Sequence, residues 1–176
     1  MEDRKGLPKL FQKNYSLGVG VEVGSFRGDF SKEILEKWRG ELKMVDSYED
    51  SVPGLDMVGA IEEATKKLEG KAFTIIKDTS VNAATLFGNE TLDFVYIDAD
   101  HTYGAVKDDL EAWVPKVRPG GVVSGHDYFD GLYLGIHFGV KLAVDEYARD
   151  NKKIVEATKK DEAYEGFQFR SWWFIK

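Results

Sequence analysis

The sequence predicts an α/β domain of the doubly wound kind, with a seven-stranded, mostly parallel sheet and an antiparallel C-terminal hairpin. Three observations carry this. Short apolar runs alternate with helix-period stripes along the chain. One run, Leu92 to Ile97, is almost wholly apolar, as a central parallel strand buried on both faces should be. The connection between the last two runs, near Tyr164 to Gly166, leaves no room for a crossover helix, so those strands pair antiparallel.

The elements follow in order. The first strand covers Val19 to Val23, and Phe30, Ile34, Leu35 and Trp38 then share one face of a helix. The second strand runs from Leu42 to Val45 and ends at Asp46, before a helical stripe of Met57, Ala60, Ile61, Ala64 and Leu68. Ala72 to Ile76 is the third strand, followed by a short helix over Val81 to Phe87. After the fourth strand, Val106, Leu110 and Trp113 line a helix. Pro115 and Pro119-Gly120-Gly121 punctuate the turn into the fifth strand, Val122 to Ser124. Ile136, Val140, Val144 and Tyr147 space a longer helix, and Ile154 to Ala157 and Phe167 to Ile175 close the sheet. The Trp172-Trp173-Phe174 stripe lies in a strand pattern and reads as core.

At 176 residues the chain is expected to form a single domain, 1–176, with residues 1–17 as an N-terminal extension. A formal charge of −7 argues against a nucleic-acid partner, which would need a basic surface. There is no cysteine, which excludes disulfides and thiolate metal sites and makes the cytoplasm the expected compartment. Met1 to Asn14 lacks the basic-then-apolar order of a signal peptide. No apolar run approaches the ~20 residues of a membrane span, so no membrane partner is expected. The expected partner is a small-molecule substrate, with a homo-oligomer left open.

Chemistry enters at Val21-Glu22-Val23-Gly24-Ser25-Phe26-Arg27-Gly28-Asp29, where an apolar strand ends in an acid, a glycine-bearing turn follows and a helix begins. This fits a charged small-molecule cofactor held at the carboxyl end of a parallel sheet. Gly24 and Gly28 let backbone approach a ligand closely, and the helix N-terminus points its unpaired N–H groups at the same place. A negative Glu22 beside the loop would repel a pyrophosphate and attract a cationic amine or sulfonium.

The chain resembles the class I S-adenosylmethionine-dependent methyltransferases, which implies a Rossmann-like fold. Glu22-Val23-Gly24-Ser25-Phe26-Arg27-Gly28 matches their first motif, and Asp46 is the acid that ends strand two. Asp93 to His101 and Arg118-Pro119-Gly120-Gly121 match the later elements. The resemblance implies that Gly24 contacts the methionine part of the cofactor through its backbone, within a loop that includes Ser25 and Gly28. It implies that Glu22 lies near the amino group or organises the loop. Asp46 would bind the two ribose hydroxyls, Ser47 and Tyr48 would border the adenine, and Asp78, Thr79 and Ser80 would meet the adenine amino group. Each residue also has a plainer reading: the glycines as turn formers, Asp46 as a solvated strand-end acid, Asp78 as a helix N-cap.

Asp98, Asp100 and His101 follow strand four, and His126 and Asp127 follow strand five. These ends are neighbours in a doubly wound sheet, and oxygen-rich clusters suit Mg²⁺, Ca²⁺ or Mn²⁺. The cluster resembles that of the metal-dependent O-methyltransferases of the catechol and macrocin type. That resemblance implies Asp98 and Asp127 as ligands of Mg²⁺ or Mn²⁺, with Asp98 also at the cofactor and reaction centre, and His101 as general base. His126 departs from the pattern; it either ligates, favouring Mn²⁺, or turns away. Asp98 and Asp127 could instead cap helices or meet the cofactor without metal, and His101 could pack at a helix N-terminus. A metal lowers the pKa of a hydroxyl, and a histidine near its ordinary pKa can take the proton.

The expected function is therefore O-methylation of a small hydroxylated metabolite or sugar. Tyr128, Phe129, Tyr133 and Phe138, with Gly131 and Gly135 between them, form either a substrate-facing flap or ordinary packing, and Tyr103 could lie over the cofactor. His137, in the stretch before Val140, reads as surface or packing. Two further function classes stay open. A cofactor-binding domain without turnover predicts affinity and no metal effect. A nicotinamide oxidoreductase is disfavoured, because its loop wants Gly-x-Gly-x-x-Gly. A hydrolase elbow, Gly-x-Ser-x-Gly, is absent.

Overall fold

Leu92–Ile97 (β4) is buried at every position, and a strand with no polar face must have layers on both sides. The computed structural model places it at the middle of a seven-stranded sheet. Described are residues 1–11, 18–49, 56–159, 162–164 and 167–176, with backbone alone for 162–164, 167 and 168. The strands are Val19–Val23 (β1), Glu41–Asp46 (β2), Phe73–Lys77 (β3), β4, Val117–Gly125 (β5), Glu156–Ala157 (β8) and Trp172–Ile175 (β11). Their order is β3-β2-β1-β4-β5-β11-β8. The first five are parallel, and β11 runs antiparallel between β5 and β8.

Two-residue alternation sorts the sheet's side chains into two cores. Val21, Val95, Ile97, Val123, Trp172 and Phe174 meet the face covered by Ser80–Ala84 (α4), Tyr103–Trp113 (α5) and Val140–Asp150 (α6). Leu42, Met44, Phe94, Tyr96 and Trp173 meet Asp29–Lys37 (α2) and Met57–Lys67 (α3) on the other. The adjacent tryptophans of β11 thus serve opposite cores, as their strand pattern predicts. The N-terminal segment belongs to the second core. Pro8–Phe11 (α1) lays the Phe11 ring flat on Phe94, with centroids 3.8 Å apart and planes 8° apart. No helix among the described residues is long and apolar enough to cross a membrane.

Two expectations are corrected. Ile136 and His137 lie not in a helix but in a hairpin of Asp130–Tyr133 (β6) and Ile136–Gly139 (β7). The two-residue turn between them has both φ angles positive, 48° at Leu134 and 80° at Gly135, the twist that a tight hairpin needs. The helix starts only at Val140. The run Phe167 to Ile175 is not one strand. Phe167–Phe169 (β10) pairs with Glu162–Tyr164 (β9) in a small separate sheet, and only Trp172–Ile175 enters the main sheet. The break comes at Arg170-Ser171. The Ser171 N–H donates to Thr158 Oγ1 (3.0 Å), the Thr158 N–H donates to the Ser171 carbonyl (2.9 Å), and the Tyr128 N–H donates to the Arg170 carbonyl (2.9 Å). The strand that closes beside β11 is therefore β8, and residues 165 and 166 of the expected loop lie outside the described residues.

Candidate active site

The site assembles where β1, β2, β4 and β5 end. At Gly24 φ is +85°, and a Cβ would stand 1.9 Å from the Asp98 carbonyl oxygen. Glycine is required there because the ends of β1 and β4 touch, and the space its side chain would take is already filled by protein backbone. Gly28, with φ +71°, is the N-cap of α2. Glu22 is buried, and the Ser31 hydroxyl donates to its carboxyl. Burial raises its pKa to about 8, against the opposing effect of Ser31. At neutral pH Glu22 is therefore mostly uncharged. Through Ser31 it ties the first turn of α2 to β1.

Asp46, at the end of β2, braces the glycine loop. Its Oδ2 accepts from the Phe26 N–H and its Oδ1 from the Tyr48 N–H, both at 2.9 Å. These two residues are held in the left-handed region, at φ 42° and 47°. The Tyr48 hydroxyl lies 3.1 Å from Ser25 Oγ and donates to the Phe26 carbonyl at 3.1 Å. Tyr48 and Ser25 are both buried by this latch, with Ser47 half-buried between Asp46 and Tyr48. The third strand's end joins through backbone: the Asp78 N–H donates to the Asp46 carbonyl at 3.1 Å. Asp78 Oδ1 accepts from the Thr79 N–H at 2.8 Å, and Thr79, not Asp78, is the N-cap of α4. Ser80 donates to Asp109 of α5 and accepts from Trp113 Nε1 at 2.9 Å.

Beyond β4 and β5, Asp98, His101 and Asp127 each present a ligand atom within 4.8 Å of the others. His101 Nε2 lies 2.9 Å from Asp127 Oδ2 and 3.5 Å from Asp98 Oδ1. Burial would lower the His101 pKa, but the two carboxylates outweigh it and raise it to about 10. Asp127, despite burial that would raise it, is pulled well below the usual carboxylate range by His101 and His126. In this ion-paired arrangement the two carboxylates hold a proton on His101 at neutral pH. His126 is buried, its Nδ1 is 3.1 Å from the other Asp127 oxygen, Oδ1, and it falls outside the mutually close set that His101 joins. Its carbonyl accepts from Trp172 Nε1 at 3.1 Å. Asp100 accepts from the Thr102 N–H at 2.8 Å and stays exposed at the start of α5.

An aromatic roof covers this triad. The Phe138 ring lies parallel to the His101 imidazole, 4.7 Å away at 9°. Phe129, Tyr133 and Phe169 surround Phe138 at 6.0, 6.2 and 6.0 Å. The Gly139 N–H donates to the His101 carbonyl at 2.9 Å, so the base of the β6–β7 hairpin is fastened to the residue it covers. Tyr128 turns aside to donate to Asp145 of α6, and the Tyr103 hydroxyl donates to Glu146 at 2.5 Å.

A family model described as "Methyltransferase domain" matches residues 21–128, well over half of the chain, and spans the glycine loop, Asp46, Asp98 and Asp127. The chain belongs to this methyltransferase family. It is a class I S-adenosylmethionine-dependent methyltransferase. No curated protein matches it in sequence. Solved methyltransferases share its fold. An O-methyltransferase from Bacillus cereus in complex with SAH has a TM-score of 0.71 at 15% identity, over 98% of this chain and 80% of that one. A precorrin-6y C5,15-methyltransferase from Geobacter metallireducens GS-15 gives 0.67 at 14%, over 98% and 88%. The N-methyltransferase NodS from Bradyrhizobium japonicum WM9 gives 0.66 at 12%, over 98% and 94%. The acceptor atom differs among these proteins, so the methyltransferase fold leaves it open.

The residues present suit the cofactor of this methyltransferase. Asp46 is half-buried, and each of its oxygens accepts one backbone N–H, leaving lone pairs for hydroxyl donors. The three ligand atoms also lie close enough together to meet at one cation, all within 4.8 Å of one another, because two ligands at ~2.0–2.4 Å from an ion lie no more than about 4.8 Å apart.

Proposed function

We propose that this methyltransferase methylates a hydroxyl oxygen of a small hydroxylated metabolite or sugar, with a divalent cation, Mg²⁺ or Mn²⁺, held by Asp98 and Asp127 and with His101 beside them as the general base. The observation that carries the reading is the convergence of those three side chains beside the glycine loop, under an aromatic roof. Asp46 binds the ribose hydroxyls, Ser47 and Tyr48 border the adenine with Asp78, Thr79 and Ser80, and Gly24, Ser25 and Gly28 line the methionine end. S-adenosylmethionine supplies a methyl group already activated on sulfonium, so alignment of oxygen, carbon and sulfur is the main demand on the protein. The cation supplies Lewis acidity toward the acceptor oxygen. With a cation there, the charge of Asp98 and Asp127 would no longer hold a proton on His101, whose ring, kept in its plane by Phe138, would be free to accept the hydroxyl proton. The protein works in the cytoplasm on a soluble acceptor, without nucleic acid.

One observation favours a second reading, a cofactor-binding domain without turnover: His101 Nε2 and Asp127 Oδ2 stand 2.9 Å apart, already paired with each other. Calorimetric titration with S-adenosylhomocysteine, first in EDTA and then with Mg²⁺ or Mn²⁺, separates the two. The main reading expects micromolar binding, a metal-dependent heat, and loss of that heat in Asp98→Asn with the fold retained. Cofactor binding with no metal heat, and no turnover of any hydroxylated acceptor, supports the second. Absence of S-adenosylhomocysteine binding under every condition defeats both.

A further inference from the structure

We propose that Asp109 is a positioning residue for the cofactor site: through Ser80, and together with Trp113, it fastens the 78–80 loop to the helix that follows His101. The inference rests on the reading above that this loop meets the adenine end of S-adenosylmethionine.

Asp109 is a buried acid in the middle of α5. Its carboxylate makes no ion pair with a cation among the described residues, and Asp100 and Asp108 add negative charge nearby. Burying a carboxylate without a cation is costly, and an apolar residue on this helix face would avoid that cost. What the carboxylate does there is accept the Ser80 hydroxyl. Ser80 Oγ in turn accepts Trp113 Nε1–H at 2.9 Å, from one helical turn further along the same face. Ser80 is the first residue of α4 and directly follows Asp78-Thr79. The loop's other side is fastened to the Asp46 carbonyl by the Asp78 N–H at 3.1 Å. The 78–80 segment is thus held between the ribose acid and α5. The same helix begins at Thr102, beside His101, so one rigid rod joins the cofactor loop to the acidic triad.

The test is calorimetric titration of the full chain with S-adenosylhomocysteine, comparing wild type with Asp109→Leu, Asp109→Asn and Ser80→Ala. Asp109→Leu and Ser80→Ala should each weaken binding about tenfold, as expected for a lost charge-assisted hydrogen bond. Asp109→Asn keeps an oxygen for the Ser80 hydroxyl and should stay within about threefold of wild type, a rescue that bulk packing alone would not produce. Combining Asp109→Leu with Ser80→Ala should add little, because both cut one link. Wild-type affinity in folded Asp109→Leu, with only the unfolding temperature lowered, overturns the proposal whatever Ser80→Ala does, because Ser80 itself borders the adenine; Asp109→Ala, which also removes the acceptor of the Ser80 hydroxyl, decides where Asp109→Leu does not fold. No binding by wild type removes the cofactor reading itself, and this inference with it.

Discussion

Single residues at this site serve two purposes at once, and Asp46 shows why. Its carboxylate holds two strained backbone positions, Phe26 and Tyr48, while keeping lone pairs for a ligand. Asp46→Ala should weaken S-adenosylhomocysteine binding by about 1.5–3 kcal/mol, through the lost ligand bonds and the released loop. Unchanged affinity by calorimetry would remove Asp46 from the site. Glu22 carries the pH dependence. Its folded pKa, about 8, exceeds its ordinary 4.5, so the folded state binds the extra proton between these values. The stability it contributes is fully present below pH 4.5 and is lost as pH rises toward 8. Urea unfolding from pH 5 to 9 should show wild type losing up to about 4 kcal/mol relative to Glu22→Gln, which stays neutral. Parallel pH curves for the two proteins would show that the acid is not buried as described.

At the scale of elements, the β6–β7 hairpin contrasts a fixed base with a costly tip. Gly139 and Phe138 fasten it to His101, while Leu134 sits at the turn with φ 48° and 80% exposure. A left-handed conformation costs a leucine about 1–2 kcal/mol, and asparagine suits that position of a two-residue turn. Leu134→Asn should raise stability by about 1 kcal/mol and lift the thermal midpoint by a few degrees. A lowered midpoint would show that Leu134 makes contacts that outweigh the strain. This turn is also why the hairpin was hidden in the sequence. Ile136, Val140, Val144 and Tyr147 happen to keep helical spacing, and Leu-Gly is not a strong hairpin signal.

For the whole molecule, the N-terminal segment is part of the core rather than an appendage. Phe11 and Leu7 are buried in the layer that covers Phe94 and Tyr96. Phe11→Ala should cost about 3 kcal/mol in chemical denaturation, from the emptied space over Phe94, and leave S-adenosylhomocysteine affinity intact, because the site lies at the strand ends. A full-stability Phe11→Ala protein would mean that the segment is not docked on the sheet.

The sequence by itself determined the layered α/β architecture and the ends of its central strands. Leu92–Ile97 was legible to the residue because a strand buried on both faces is nearly all apolar, and Val19–Val23 from the valines that flank Glu22 and precede the glycine turn. It also determined which side chains stand at the carboxyl edge of the sheet: Asp46, Asp98, His101 and Asp127 lie at or just after strand ends, and parallel topology brings those ends together. Tertiary structure alone decided how these groups partner. Ser31 on Glu22, Tyr48 on Ser25 and Asp109 on Ser80 are contacts through space between different elements, with no periodicity to betray them. The partition of Asp127 between two histidines, Oδ2 to His101 and Oδ1 to His126, is set by where the ends of β4 and β5 stand in space. The division of the final run at Arg170-Ser171 was likewise imposed by Thr158 and Tyr128, whose hydrogen bonds satisfy backbone groups that a continuous strand would have left to its neighbours.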